Sequence, residues 1–254
     1  MAPLAGVTLP AVRAFFRELG VGLTHTEMVS CAGLGHGNRK TREMLPRRGE
    51  HPVVLQLFAA EPEEMVAGAR LALEWGEPPD AIQVNMACPV RKVVRRGEGA
   101  ALMRTPDKAF VMVRRLKEMT VLPIWVKLRL AGSKSPLSTL EFCRGLVSHG
   151  ASHLSVHGRT AAQHYSGTSD RDAVCRIVGE IPGMVSGSGD IFTEEDGLAY
   201  LEGGCVAILL ARGLIRDVFL AHRLCARLAG GEPEDPGVAK RIELLLALYG
   251  RLEE

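Results

Sequence analysis

The chain has 254 residues, enough to bury one large core as a single α/β barrel or to divide into two smaller domains. With 46% hydrophobic and 24% charged residues, the composition excludes disordered and fibrous classes, and apolar runs of about eight residues are too short to span a bilayer. A formal charge of +2 is too small to announce a nucleic-acid partner, so any RNA contact must come from local clustering. The opening Met1-Ala2-Pro3-Leu4-Ala5-Gly6 lacks the basic region and apolar stretch of a secretory signal, so a cytoplasmic location is expected.

Taken in chain order, short β-rich runs alternate with longer amphipathic stretches, the pattern of repeated βα units. Strands are expected at 1–6, 23–29, 53–58, 81–87, 124–130, 153–157, 184–188 and 206–211. Helices are expected at 10–19, 61–75, 106–119, 137–149, 171–179, 193–201 and 214–228, with none legible after the second strand. Eight strands, and no Gly-x-Gly-x-x-Gly after the first, favour a (β/α)8 barrel over 1–229 against an open doubly wound sheet. Gly230-Gly231-Glu232-Pro233-Glu234-Asp235-Pro236 reads as a linker, and helical spacing over 238–252 makes 236–254 a short C-terminal helical extension.

Active sites in such barrels sit at the carboxyl ends of the strands, and seven strand ends here carry polar groups. They are Glu27, Gln56, Asn85 with Cys88, Lys127 with Arg129, His157, Ser188 with Asp190, and Arg212. Each alone has a structural explanation; in succession they point to a ligand site. Gly187-Ser188-Gly189-Asp190 and Ala211-Arg212-Gly213 form glycine turns after strands seven and eight, where barrels bind phosphate. Lys127 shares a strand face with Trp125 and Arg129, and a cation there needs an anion: a reduced flavin, or Glu27 or Asp190.

Six cysteines (Cys31, Cys88, Cys143, Cys175, Cys205 and Cys225) show no metal-ligand spacing, so reduced thiols and no metal site are expected. Cys88 differs in following a strand directly and preceding Pro89, which puts its thiol in a turn over the barrel mouth, as general acid or as nucleophile. After it, Arg91-Lys92-Val93-Val94-Arg95-Arg96-Gly97 carries four cations in a loop suited to a polyanion or merely to solvent. Arg39-Lys40-Thr41-Arg42 with Arg47-Arg48 is expected on the same rim.

Several motifs together resemble the tRNA-dihydrouridine synthase family, closest to its bacterial B type, along nearly the whole chain. They are Thr26-Glu27-Met28-Val29-Ser30, Gln56-Leu57-Phe58, Asn85-Met86-Ala87-Cys88-Pro89 with Lys92-Val93, Val126-Lys127-Leu128-Arg129, Val156-His157-Gly158-Arg159-Thr160 leading to Tyr165-Ser166-Gly167, and Gly189-Asp190-Ile191. The resemblance implies FMN at the barrel mouth, reduced by NADPH, with hydride passing to uridine C6 while Cys88 protonates C5. By position, Pro3, Leu4, Ala5, Gln56, Lys127, His157, Ser188, Gly189, Asp190, Ala211 and Arg212 would hold FMN. Asn85, Arg91, Lys92, Arg95, Arg96, Arg129 and Arg159 would contact the tRNA substrate. Leu9, Ala87, Ser188 and Ala211 depart from the family pattern, and both alanines require backbone with φ below zero. These departures, and the short C-terminal stretch, leave two other readings: a tRNA-binding relative without catalysis, and an FMN oxidoreductase of a free pyrimidine, since dihydroorotate dehydrogenases carry a similar Asn-x-x-Cys-Pro turn.

Overall fold

The computed structural model describes residues 1–232 and 236–253, so part of the expected linker, and Glu254, lie outside the described residues. The elements run α1 (Pro10–Glu18), β1 (Thr24–His25), β2 (Val29–Ser30), α2 (Cys31–Gly35), α3 (Arg39–Arg42), β3 (Val53–Phe58), α4 (Pro62–Trp75), β4 (Ala81–Met86) and α5 (Arg91–Arg95). A 3-10 turn (Gly99–Arg104) leads to α6 (Pro106–Met119), β5 (Ile124–Leu130), α7 (Thr139–Ser148), β6 (His153–Thr160), α8 (Arg171–Glu180), β7 (Val185–Ser188), α9 (Glu194–Glu202) and β8 (Ala207–Ile208). Then come α10 (Arg212–Arg216), α11 (Leu220–Leu228) and α12 (Gly237–Glu253).

All strand pairs are parallel, in the order β1-β3-β4-β5-β6-β7-β8, with β2 also on β3. The expected first strand does not form. Instead the Ala2 amide donates to the Leu210 carbonyl (2.7 Å) and the Met1 amino group to that of Leu23 (2.6 Å), so the first two residues bridge the two ends of the sheet. The expected second strand is two short strands, because β1 and β2 pair with opposite ends of β3. The barrel with a following helix is thus confirmed, with a seam in place of its first strand.

Alternation assigns the two faces of the sheet different work. Leu55, Leu57, Ile82, Val84, Val126, Leu128, Leu154, Val156 and Val185 are fully buried in the apolar layer under the helices. Each such side chain stabilises the fold by about 1.5–3 kcal/mol relative to exposure. The intervening positions are polar: Gln56, Gln83, Asn85, Lys127, Arg129, Ser155, His157, Ser186 and Ser188, all buried. Barrel interiors are usually packed with aliphatic residues, so this inner face departs from the common pattern.

The helices follow their local signals. Pro is in the first turn of α1, α4 and α6, and α7 and α9 open on capping boxes, Ser138 with Glu141 and Thr193 with Asp196. A Cβ on Gly68 would lie 2.4 Å from that of Cys31, so glycine is what lets α2 lie against α4. The helix expected over 214–228 is two, because Asp217 ends α10 and its Oδ1 accepts from the Phe219 amide at the start of α11 (3.2 Å). α12 packs Leu244 and Leu248 against the core and pairs Arg251 with Glu18 of α1 (2.8 Å).

The two basic runs do not share a rim. Arg42 stands 4.4 Å above the ring of Trp75, the last residue of α4, and the Pro46 carbonyl accepts from the Glu77 amide. That is the amino-terminal end of the strands, opposite Cys88. The run from Arg91 to Arg96 forms a helix, α5, and its C-cap rather than a loop, and Arg91, Lys92, Arg95 and Arg96 are all exposed beside the Cys88 turn.

Candidate active site

One cavity of about 270 Å³ opens at the carboxyl ends of the strands. Of the residues expected at FMN, Pro3, Leu4, Ala5, Lys127, His157, Ser188, Gly189, Asp190, Ala211 and Arg212 line it, as do Cys88, Asn85 and Arg129. Gln56 lies beneath it, fully buried and bonded to Asn85 and Gln83. Arg159 lies behind Asp190, and Arg91, Lys92 and Arg95 on α5, with Arg96 capping it, stand outside the cavity.

The Cys88 turn is fixed from both sides. Asn85 Oδ1 accepts from the amides of Ala87 (3.1 Å) and Cys88 (2.9 Å), and its Nδ2 donates to Gln56 Oε1 (2.8 Å). Arg129 Nε donates to the Ala87 carbonyl (2.8 Å), while Nη1 donates to those of Thr160 (3.2 Å) and His164 (3.0 Å). The buried guanidinium therefore ties the turn to the loop after β6. Burial pushes the Cys88 thiol up, against the pull of the Val90 backbone and of Arg129, so it carries its proton at neutral pH. Ala87 keeps φ out of the positive region, and Ala211 has φ −128°, so both alanines are accommodated.

Lys127 has neither hydrogen-bond nor ion-pair partner among the described residues, so it pairs with neither Glu27 nor Asp190. Glu27 instead accepts from the Gly6 amide, and Asp190 is taken by two arginines. Burial first, then Arg129, lowers the Lys127 ammonium to about 8. His157 is held down to about 2, by burial and then by Lys127 and Arg129, so it is neutral. Its Nδ1 lies 3.4 Å from Ser188 Oγ and its Nε2 is buried without a partner.

Asp190 sits in the left-handed region (φ 50°) and receives Arg159 Nη1 (2.8 Å) and Nη2 (2.5 Å), Arg212 Nη2 (3.0 Å) and the Ser169 amide (2.8 Å). A Cβ on Gly213 would come 2.1 Å from the Ile191 carbonyl oxygen, so the turns after β7 and β8 touch backbone to backbone. Tyr165 and Phe192, absent from the expected site, also line the cavity, with Arg212 4.5 Å from the Tyr165 ring centre and 5.4 Å from that of Phe192. Tyr165 stands two residues before Gly167 in a motif noticed in the sequence; nothing in the sequence marks Phe192.

The dihydrouridine synthase family model matches residues 1–254. The chain belongs to that family. Its members are oxidoreductases, and this one is similar to a probable tRNA-dihydrouridine synthase of Treponema pallidum (strain Nichols), 32% identical over 86% of this chain and 67% of the relative. A probable tRNA-dihydrouridine synthase 1 of Synechocystis sp. is 31% identical over 95% of this chain and 68% of its own length. tRNA-dihydrouridine synthase B of Xanthomonas axonopodis pv. citri is 28% identical over 99% and 78%. Among solved structures, a ligand-free DHODH from Eimeria tenella superposes with a TM-score of 0.51 over 70% of this chain and 58% of that one, at 12% identity, which speaks for the barrel fold alone. Among the described residues of this dihydrouridine synthase family member, no metal-ligating cluster occurs and no helix is long and apolar enough to cross a membrane.

Proposed function

We propose that the chain is a tRNA-dihydrouridine synthase, acting in the cytoplasm with FMN as bound cofactor, NADPH as reductant and Cys88 as proton donor to the uracil. One observation carries this reading: a single cavity collects a protonated thiol, a buried lysine without a partner and a neutral histidine with an orphaned nitrogen. The donor set fits a flavin mononucleotide. Lys127 offers an uncompensated cation to an anionic ring edge, and His157 Nε2 has an unmet hydrogen bond. The glycine turns after β7 and β8, with Arg212, form a cradle for a phosphate.

FMN bound there supplies the hydride for C6 of the uridine. The chain's own residues do the rest. Asn85 and Arg129 hold the Cys88 turn over the cavity, and the thiol delivers its proton to C5. The thiolate left behind is stabilised by Arg129 and Lys127. Tyr165, half-exposed against Arg212, offers a face for base stacking, and the α5 cations meet RNA phosphates.

The test is the absorption spectrum of the purified protein together with nucleoside mass spectrometry of tRNA. Bound flavin, bleached by NADPH, is expected, with loss of dihydrouridine on gene deletion that Cys88→Ala fails to restore. Unchanged dihydrouridine on deletion, or turnover of dihydroorotate or free uracil instead, would overturn the reading.

A further inference from the structure

Beneath the cavity runs a ladder of buried polar side chains whose direction is imposed from its upper end. The amides of Ala87 and Cys88 can only donate, so Asn85 must turn Oδ1 to them and Nδ2 away. That Nδ2 donates to Gln56 Oε1 (2.8 Å), which leaves Gln56 Nε2 to donate to Gln83 Oε1 (2.6 Å). Gln83 Nε2 then donates to Ser155 Oγ (3.3 Å), which also accepts from Ser186 Oγ (3.0 Å). Gln56, Gln83, Ser155 and Ser186 are all 0% exposed, so bulk water cannot replace a lost partner. Gln83 is on β4 and Ser155 on β6, so their bond spans the barrel interior past β5.

We propose that Gln83 is a positioning residue: by giving the buried Gln56 Nε2 its acceptor it anchors the lower end of the ladder, holds Gln56 against Asn85, and so steadies the backbone that carries the Cys88 thiol. Its catalytic consequence rests on the reading of Cys88 as proton donor; the link from Gln83 to the turn rests on geometry alone. Leucine is apolar and suits a barrel interior, so Gln83→Leu removes both hydrogen-bonding groups while keeping the position filled. Gln83→Glu keeps the acceptor toward Gln56, and its other oxygen receives the Ser155 hydroxyl proton.

The experiment measures iodoacetamide alkylation of Cys88 in the purified protein across pH, resolved by peptide mass spectrometry, with exposed Cys225 as internal reference. In Gln83→Leu the Cys88-to-Cys225 rate ratio is expected to rise by about threefold or more, and the pH midpoint of Cys88 to fall toward the ordinary thiol value, as the loosened turn becomes solvated. In Gln83→Glu both are expected to stay near the parent. A Leu variant that melts earlier but keeps the parent's ratio and midpoint would show Gln83 to be a packing residue only and overturn the proposal, as would a Glu variant behaving like Leu. If the Leu variant does not fold, Ser155→Ala, which removes the next partner of Gln83, is expected to shift the ratio the same way by less; an unchanged ratio there overturns it. Alkylation needs neither flavin nor tRNA. A shifted ratio in a chain that makes no dihydrouridine sinks the proposed function and leaves this inference standing; dihydrouridine formation with an unshifted ratio does the reverse.

Discussion

Replacing Asp190 by alanine tests how the two phosphate-side turns are held. Arg159 is 2% exposed, and the Asp190 carboxylate takes two of its donors; two more go to the carbonyls of Ser166 (3.1 Å) and Gly167 (2.7 Å). Removing the carboxylate leaves a buried guanidinium without its counter-charge and strands the Ser169 amide, a loss of about 3–5 kcal/mol. With an m-value near 3 kcal/mol/M, the urea midpoint should fall by about 1–1.7 M at unchanged slope. Replacing Arg159 by methionine in the same chain should recover part of that loss, and the double-mutant cycle should return a coupling of about 2 kcal/mol or more. Burial works to raise the Asp190 carboxyl, but hydrogen bonds from Arg159 and the Ser169 amide outweigh it, so it titrates below its ordinary value. Its contribution is therefore complete above about pH 3.9 and is lost as pH falls through the lower folded value. A cost under about 1 kcal/mol for Asp190→Ala, or a cycle without coupling, would refute this account of the cluster.

His25, held down to about 3, and His157, held down to about 2, stay neutral when folded, chiefly through burial, whereas the unfolded chain protonates them near about 6.5. The unfolded state thus binds more protons below that pH, and stability should fall on acidification from about 6.5 toward 3, approaching about 1.4 kcal/mol per pH unit for each histidine. Urea midpoints at pH 7, 6 and 5 check this, and a flat profile would contradict it. Gly213→Ala should push the β8 turn off the Ile191 carbonyl and strip most bound flavin, read as the visible-to-ultraviolet absorbance ratio of purified protein. Lys127→Met removes the buried unpaired cation; it should leave the protein folded, or even more stable, while weakening flavin retention on dialysis. Retention equal to the parent would detach Lys127 from the cofactor.

How far the sequence carried the site depended on the kind of interaction. Cys88, Lys127 and His157 were legible because strand ends put polar residues into the mouth of a barrel, and each does line the cavity. The Arg159–Asp190–Arg212 cluster was not, since it needs Asp190 in a left-handed conformation that no residue pattern announces. Arg129 was legible as a cation at a strand end, but its three bonds to carbonyls were not, since they are set by how the loop after β6 folds back. The misplaced run around Arg42 shows the limit of counting rims from chain order: α2 and α3, illegible beforehand, lead the chain down α4 before the cations end. The first strand failed for a related reason. Its residues are apolar enough, but only Met1 and Ala2 reach between Leu210 and Leu23.

The strands carry stability and chemistry on alternate letters of the same words. Val126 and Leu128 face the helix layer, whereas Lys127 and Arg129 face the interior, one peptide apart. A single inserted residue early in β5 would exchange the two sets, driving two cations into the apolar layer and two aliphatics into the cavity. Reading frame within a strand is therefore the quantity this protein can least tolerate changing, and deletions or insertions should be survivable only in the turns between strands.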